Sequence, residues 1–438
     1  MEISIALMFV CLMAMLLLGY PVAFSLGAVA LLFGGIFLDI AFFNLLPLQI
    51  WGVMTNFTLL AVPLFILMGI VLDKSGLAED LLETMGLLFG KMRGGLALSV
   101  VLVGALLAAT TGVVGATVVT MGVIALPTML KRSYSPALAA GTIAAAGTLG
   151  QIIPPSIVLI LLGDVMGVPV GRLFMGAVAP GVLLVSLFIV YISITAWLRP
   201  DIAPALEMAE GDGKLIYRVL FTLLPPLMLV LGVLGSIFFG IASPTESAAI
   251  GAIGAMLLAA LHKRLTLQNL QEAMQQTTRL TSMVFLILIG ATAFGLVFRG
   301  MGGAALVNDV MLNLPGGSWG FLAVSMILIF ALGFFLDFLQ ICFIVVPILQ
   351  PIALQLNIDL LWLAVLIGIN LQTSFLTPPF GFSLFYLKAV APPEVKIGHI
   401  YRGVLPFVII QIILIIVLLA FPQTVLWLPD LMDNWQGL

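Results

Sequence analysis

Two stretches of almost unbroken apolar sequence, 94–131 and 318–355, are each about 38 residues long and carry small or polar residues near the middle. One helix across a hydrocarbon core of roughly 30 Å takes about 20 residues. Each stretch is therefore either two crossings or a re-entrant hairpin whose tip stops inside the membrane. The interruptions are Thr110-Thr111-Gly112 in the first stretch and Gly333 to Asp337 in the second. Hairpin tips buried within the protein account best for Gly and Thr at those depths, since non-helical backbone there needs partners from protein or trapped water.

The rest of the chain is equally apolar. Only 8% of residues are charged, against about 25% in soluble domains, so no soluble domain can be cut out. Provisional crossings fall at 3–19, 21–38, 57–73, 134–163, 173–198, 217–240, 244–261, 281–298, 360–387 and 403–427. The first lacks the basic n-region of a signal peptide and reads as a retained helix. Two amphipathic stretches, 75–91 and 263–279, read as interfacial helices. Cys11 and Cys342 lie far apart in apolar segments and read as small core hydrophobes.

Basic residues orient the chain. Fourteen of the sixteen Lys and Arg fall on one face, and only Arg172 and Arg299 on the other. By the positive-inside rule, both termini are periplasmic. The first hairpin then enters from the cytoplasm and the second from outside.

The sequence also repeats. Pro21 and Pro244, Gly69 and Gly290, Pro127 and Pro347, and the pairs Pro154-Pro155 and Pro378-Pro379 recur in one order at offsets of 220 to 224 residues. Each half holds five crossings, one of them broken, and one hairpin. An odd number of crossings inverts the second half. The expected fold is an all-α polytopic membrane protein of two inverted-topology repeats: 1–198 (hairpin 94–131, broken helix 134–163) and 219–438 (hairpin 318–355, broken helix 360–387). A cytoplasmic linker, 199–218, joins them.

The chemistry is expected where helices break, because half-helix N-termini attract anions and freed carbonyls bind cations. The first tip offers Thr110, Thr111, Gly112, Gly115 and Thr117; the first break offers Thr148, Gly150, Gln151 and Ser156. The second tip offers Gly333, Asp337 and Gln340; the second break offers Asn370, Thr373, Thr377 and Ser383. An ionised Asp337 near the bilayer centre costs about 2.5–3.5 kcal/mol on insertion scales. It calls for a cation or a proton, and no basic residue lies within the four patches. Sodium with oxygen ligands or a proton would each answer. Ser243-Pro244-Thr245-Glu246 reads as a capping box, and Asp164 as a membrane-edge residue.

These motifs resemble the large membrane subunit of tripartite ATP-independent periplasmic (TRAP) transporters, the DctM-like family, over essentially the whole chain. TLGQIIPPSI resembles the family's TIGPIIPPSI, GFFLD its GMFLD, and LTPPFGFSLF its LTPPVGLNLF. The longer string LQTSFLTPPFGFSLFYLKAVAP resembles the mannitol and chloroaromatic-compound branch. The resemblance implies a sodium-driven elevator-type carrier of the bacterial inner membrane. Its partners would be a separate small TRAP membrane subunit and a periplasmic binding protein that delivers a small organic anion of the carboxylate or keto/hydroxy acid class. No cofactor and no nucleic acid enters, and Na⁺ is the coupling ion.

Carried over by position, Thr111 and Gly112 stand at the family's Ser-Gly, and Thr148 and Gly150 match its first break. Asp337, Asn370 and Thr377 match acidic, amide and hydroxyl positions of the second half. The sodium set is then Thr110, Thr111, Gly112, Thr148 and Gly150 with Gly333, Asp337, Thr373 and Thr377. The substrate set is Thr117, Gln151, Ser156, Gln340, Asn370 and Ser383. Arg172 and Arg299 are the expected contacts for the binding protein. The chain departs from the family at Val113, Phe338, Leu339 and Ser383, where the family often has Ser, Thr, Thr and Asn.

Three rival readings fit the sequence less well. An ATP-driven permease needs a partner ATPase, and the chain has no Walker motif. A channel has no need of paired broken helices in inverted register. An intramembrane aspartyl enzyme would have to join Asp164 and Asp337, which fall in different repeats.

Overall fold

The computed structural model describes residues 2–111, 114–205 and 215–436, and every regular element among them is a helix. In hydrocarbon only helices and closed barrels satisfy their own backbone. Seven helices are long and apolar enough to cross a membrane, or eight if the bent pair Ile40–Met54 and Thr58–Lys74 counts as one span. Cys11 and Cys342 are unpaired.

Both long apolar stretches fold as helical hairpins. Gly95–Thr111 and Val114–Lys131 form the first, and Ser318–Leu332 and 338–355 the second. Pro347 lies just beyond a π-helical turn, Ile341–Val345, in the second arm. A proline lacks the N–H that an α-helical ladder requires, and a wider π-turn is one way a helix accommodates the gap.

After each hairpin comes a broken helix. Pro136–Thr148 ends in a short 3₁₀ turn, and Ile157–Met166 resumes beyond Pro154-Pro155. Leu360–Leu376 ends at Thr377, and Phe382–Val390 resumes beyond Pro378-Pro379. Both proline pairs are cis. One serine hydroxyl bridges each gap: Ser156 Oγ donates to the Gln151 carbonyl at 2.9 Å and Ser383 Oγ to the Phe375 carbonyl at 2.8 Å.

The helices sort into two bodies. Hairpins and broken helices pack together with Val170–Leu198 and Ile397–Ala420 to form a core unit. Gly141 and Gly403 face each other there so closely that a Cβ on either would strike the other helix's backbone. Small residues at such crossings let backbones approach and replace the hydrophobic drive that lipid cannot supply. Around this unit stands a frame in which the halves exchange partners: Val22–Phe37 packs on Leu267–Gly300, and Ala61–Lys74 on Pro244–Leu261. Gly290 makes the first crossing possible, since a Cβ there would lie 2.6 Å from the Ala23 carbonyl oxygen.

The structure differs from the sequence expectation in three places. The stretches 263–279 and 281–298 are one continuous 34-residue helix, Leu267–Gly300. The polar run between them, Thr277 to Ser282, contains neither Gly nor Pro, so polarity changes while the backbone does not break. The equivalent passage in the first half does bend, by 55°, between Ile40–Met54 and Thr58–Lys74, and the expected list had no helix at 40–54. There the Asn56 side chain accepts from the Thr58 N–H at 2.9 Å and starts the second helix. The last crossing is Ile397–Ala420, and a separate helix, Gln423–Gln436, follows Pro422. The capping box at Ser243 and Glu246 is present, with the Glu246 N–H donating to Ser243 Oγ at 3.3 Å and the Ser243 N–H to Glu246 Oε2 at 2.7 Å.

Candidate functional site

The second hairpin turns through Gly333 to Asp337, and the Asp337 carboxylate caps its second arm by accepting from the Phe338 N–H at 2.7 Å. The turn sits directly on the second broken helix. A Cβ at Gly333 would lie 2.7 Å from Ser374 Cβ, so only glycine fits. Asn370, one turn earlier, donates through Nδ2 to the Met326 carbonyl at 2.7 Å and ties that helix to the hairpin's first arm. The first break is seated the same way: a Cβ at Gly150 would lie 3.3 Å from the Ala108 carbonyl oxygen of the first hairpin. Each break is thus packed against its own hairpin.

A cavity of about 410 Å³ opens where these parts meet the frame. Gly115 and Val119 come from the first hairpin, Asp337 and Phe338 from the second, and Phe375 and Tyr386 flank the second break. Ile66 and the Gln276 to Val284 stretch of the long frame helix close the other side. Among the described residues the wall contains one carboxylate, one amide and one phenol, and no Lys or Arg. Asp337 forms no ion pair among the described residues. The Tyr386 ring lies against Gly115, whose added Cβ would be 3.2 Å from the ring edge. Below the cavity, Asp73 of the frame accepts from Thr120 Oγ1 of the first hairpin at 3.1 Å.

Two further buried amides, Gln151 and Gln372, stand near the two breaks and outside that wall. Both are fully buried, and among the described residues neither the nitrogen nor the oxygen of either amide has a hydrogen-bond partner. A buried amide without a partner costs about 1–3 kcal/mol. Such groups occur where water, an ion or a function supplies what the protein does not.

The family described as the DctM component of tripartite ATP-independent periplasmic transporters matches residues 9–424. The chain belongs to the DctM family. It is 32% identical over 395 residues, 90% of each chain, to the C4-dicarboxylate TRAP transporter large permease protein DctM of Pseudomonas aeruginosa. It is 29% identical to the sialic acid TRAP transporter large permease protein SiaM of Vibrio cholerae, over 96% of this chain and 97% of that one. In architecture it is similar to the crystal structure of the Alcanivorax borkumensis YdaH transporter. The TM-score is 0.62 at 16% identity, covering 95% of this chain and 99% of that one. The chain is therefore a multi-pass inner-membrane component of a transporter, and not an enzyme.

In this DctM component the expected site residues fall into three groups. Asp337 lines the cavity. Thr117, Gln151, Ser156, Gln340, Asn370 and Ser383, the expected substrate set, are all buried, and none of the six forms the cavity wall. The hydroxyls of Thr148, Thr373 and Thr377 donate to the carbonyls of Ala145, Ile369 and Thr373 at 2.7–2.8 Å. That leaves their lone pairs free to accept or coordinate. Gly112 lies outside the described residues, as do the side chains of Thr110 and Thr111.

The two arginines expected on the periplasmic face separate. Arg172 is paired with Asp433 of the terminal helix at 2.8 Å, and Arg299 lines a second cleft. Sequence reasoning missed Gln276 and Tyr386 as wall residues. Both are contributed by segments remote from the hairpin tips, and neither stands in a motif that marks a site.

Proposed function

We propose that this DctM component imports a small organic anion with sodium co-transport, as the membrane carrier of a tripartite system fed by a periplasmic binding protein and completed by a small membrane subunit. The reading is carried by one observation: both hairpins and both broken helices converge on a cavity in which Asp337 is the only charged wall residue among those described. An acidic residue without a basic partner at this depth favours a cation. Hydroxyls of Thr148, Thr373 and Thr377 and the backbone freed at the breaks are hard oxygen ligands of the kind sodium takes, and Thr110, Thr111, Gly112, Gly150 and Gly333 complete the expected set. A cation held there neutralises the site for an anionic substrate. The relatives named above carry C4-dicarboxylates and sialic acid, both carboxylates.

The two halves, 1–198 and 219–438, act as inverted repeats joined by the 199–218 linker, with both termini periplasmic. The core unit moves as the elevator against the frame. The conformation is inward-facing: the cavity meets the long frame helix at Gln276 to Val284, its cytoplasmic half by the distribution of Lys and Arg.

The test is uptake into proteoliposomes holding this chain, its small-subunit partner and the loaded binding protein. Uptake that needs an inward sodium gradient is expected. Uptake driven equally by a proton gradient without sodium would make Asp337 a proton carrier in the same fold.

A further inference from the structure

The long frame helix Leu267–Gly300 borders two cavities. The inner one lies against Gln276 to Val284, and a second cleft of about 580 Å³ lies against Leu288 to Arg299. The middles of these stretches are about 13 residues apart, or about 20 Å along a helix. Both cavities are bounded on their far side by the same moving element, since the outer cleft is walled by Phe343 to Gln355 of the second hairpin's returning arm. On the elevator reading the helix is then a continuous rail with a stop beside each cavity.

The electrostatics of the two stops are opposite. The inner cavity has Asp337 in its wall and no basic residue. The outer cleft has Arg299 and no Asp or Glu in its lining. Arg299 is exposed and makes no ion pair among the described residues. Asn308 also lines this cleft. Its Nδ2 reaches Gln355 Oε1 only at 3.4 Å, and its Oδ1 is buried with no partner among the described residues.

We infer that Arg299 is an anion-capturing residue of the outer cleft, which receives the carboxylate of the incoming substrate when the core unit stands at its outer stop. The inference rests on the elevator reading above. It assigns Arg299 to the substrate's path and not to the binding-protein surface. Attraction at the outer stop and its absence at the inner one favour capture outside and release inside.

The cleft can be probed without transport. A Cys11→Ser, Cys342→Ala carrier with Ala305→Cys, a small exposed position in the cleft, is reconstituted with the small subunit. It is then labelled by anionic sulfonatoethyl or cationic trimethylammonioethyl methanethiosulfonate. A unit charge about 6 Å away in water changes each rate about threefold. Arg299→Gln should therefore lower the anionic-to-cationic rate ratio about tenfold, and Arg299→Lys should preserve it. A ratio that does not change with Arg299→Gln overturns the inference. So does a change seen only in vesicles containing phosphatidylglycerol and not in phosphatidylcholine alone, which gives the residue to lipid phosphate.

A second readout uses the complete system. Arg299→Gln should reduce uptake from the loaded binding protein while leaving that protein's affinity for the carrier unchanged; a parallel loss of affinity makes Arg299 a docking residue. A carrier that proves sodium-independent would remove the coupling reading and leave the labelling result standing.

Discussion

Asn56 and Asp164, 108 residues apart, are joined by a hydrogen bond of 2.5 Å from Asn56 Nδ2 to Asp164 Oδ1. The same Asn56 side chain accepts from the Thr58 N–H at the bend between the two frame helices. The donor belongs to the frame and the acceptor to the second segment of the first broken helix, so the bond crosses the boundary along which the core unit is proposed to slide. Asp73 and Thr120 make a second bond across that boundary.

Under the proposed elevator motion these contacts break at each stroke. A hydrogen bond to a charged group contributes about 1.5–3 kcal/mol, and about 1.4 kcal/mol shifts a two-state population tenfold. Asp164→Ala is expected to depopulate the conformation described above by about tenfold or more. The check is the distance distribution between spin labels at Lys131 of the first hairpin and Lys263 of the frame. A distribution identical to that of the unmodified carrier would make the bond incidental.

The unpartnered amides give a prediction of unusual sign. Gln372→Met keeps the volume and deletes two unsatisfied polar atoms, so the fold should be unchanged or more stable by about 1–3 kcal/mol. Uptake should nevertheless fall at least tenfold, and Gln151→Met should behave alike. Thermal unfolding in detergent and uptake are measured on the same preparations. A destabilised Gln372→Met would show that the amide is satisfied within the protein and has only a packing role.

Gly115→Ala tests the contact that shapes the cavity. Its Cβ, 3.2 Å from the Tyr386 ring, would push the ring into the space the substrate is proposed to use, and uptake should drop about tenfold. Adding Tyr386→Ala should recover part of the loss, because residues in contact are not additive. Independent, additive losses would place the two effects in different sites.

Much of this architecture was legible because, in lipid, a helix stops only for a cause. The second apolar stretch, 318–355, has the bounds of its hairpin, and the first, 94–131, differs from its own by one residue. The proline pairs mark both breaks. Prolines and glycines act locally, so their effects can be read from one strand of sequence. What escaped reading had no such cause. The passage from Thr277 to Ser282 turns polar without a helix breaker and continues straight. Gln276 and Tyr386 reach the cavity only through tertiary packing, and helices that are apolar on every side carry no periodic signal of which face is inward. The expected substrate residues lie outside that wall for the same reason: a break marks where the backbone is free, and the cavity opens where neighbouring side chains leave room.

The most direct measurement is sodium-dependent uptake by Asp337→Asn beside the unmodified chain, with equal amounts of each in proteoliposomes with the small subunit and loaded binding protein. The substitution keeps the side chain's shape and its capping oxygen for the Phe338 N–H, and removes the charge. Sodium-driven uptake should be abolished, and the thermal stabilisation that sodium gives the unmodified carrier over potassium should disappear with it. Normal uptake with an undiminished sodium dependence would contradict the account and leave Asp337 as no more than the cap of its hairpin arm.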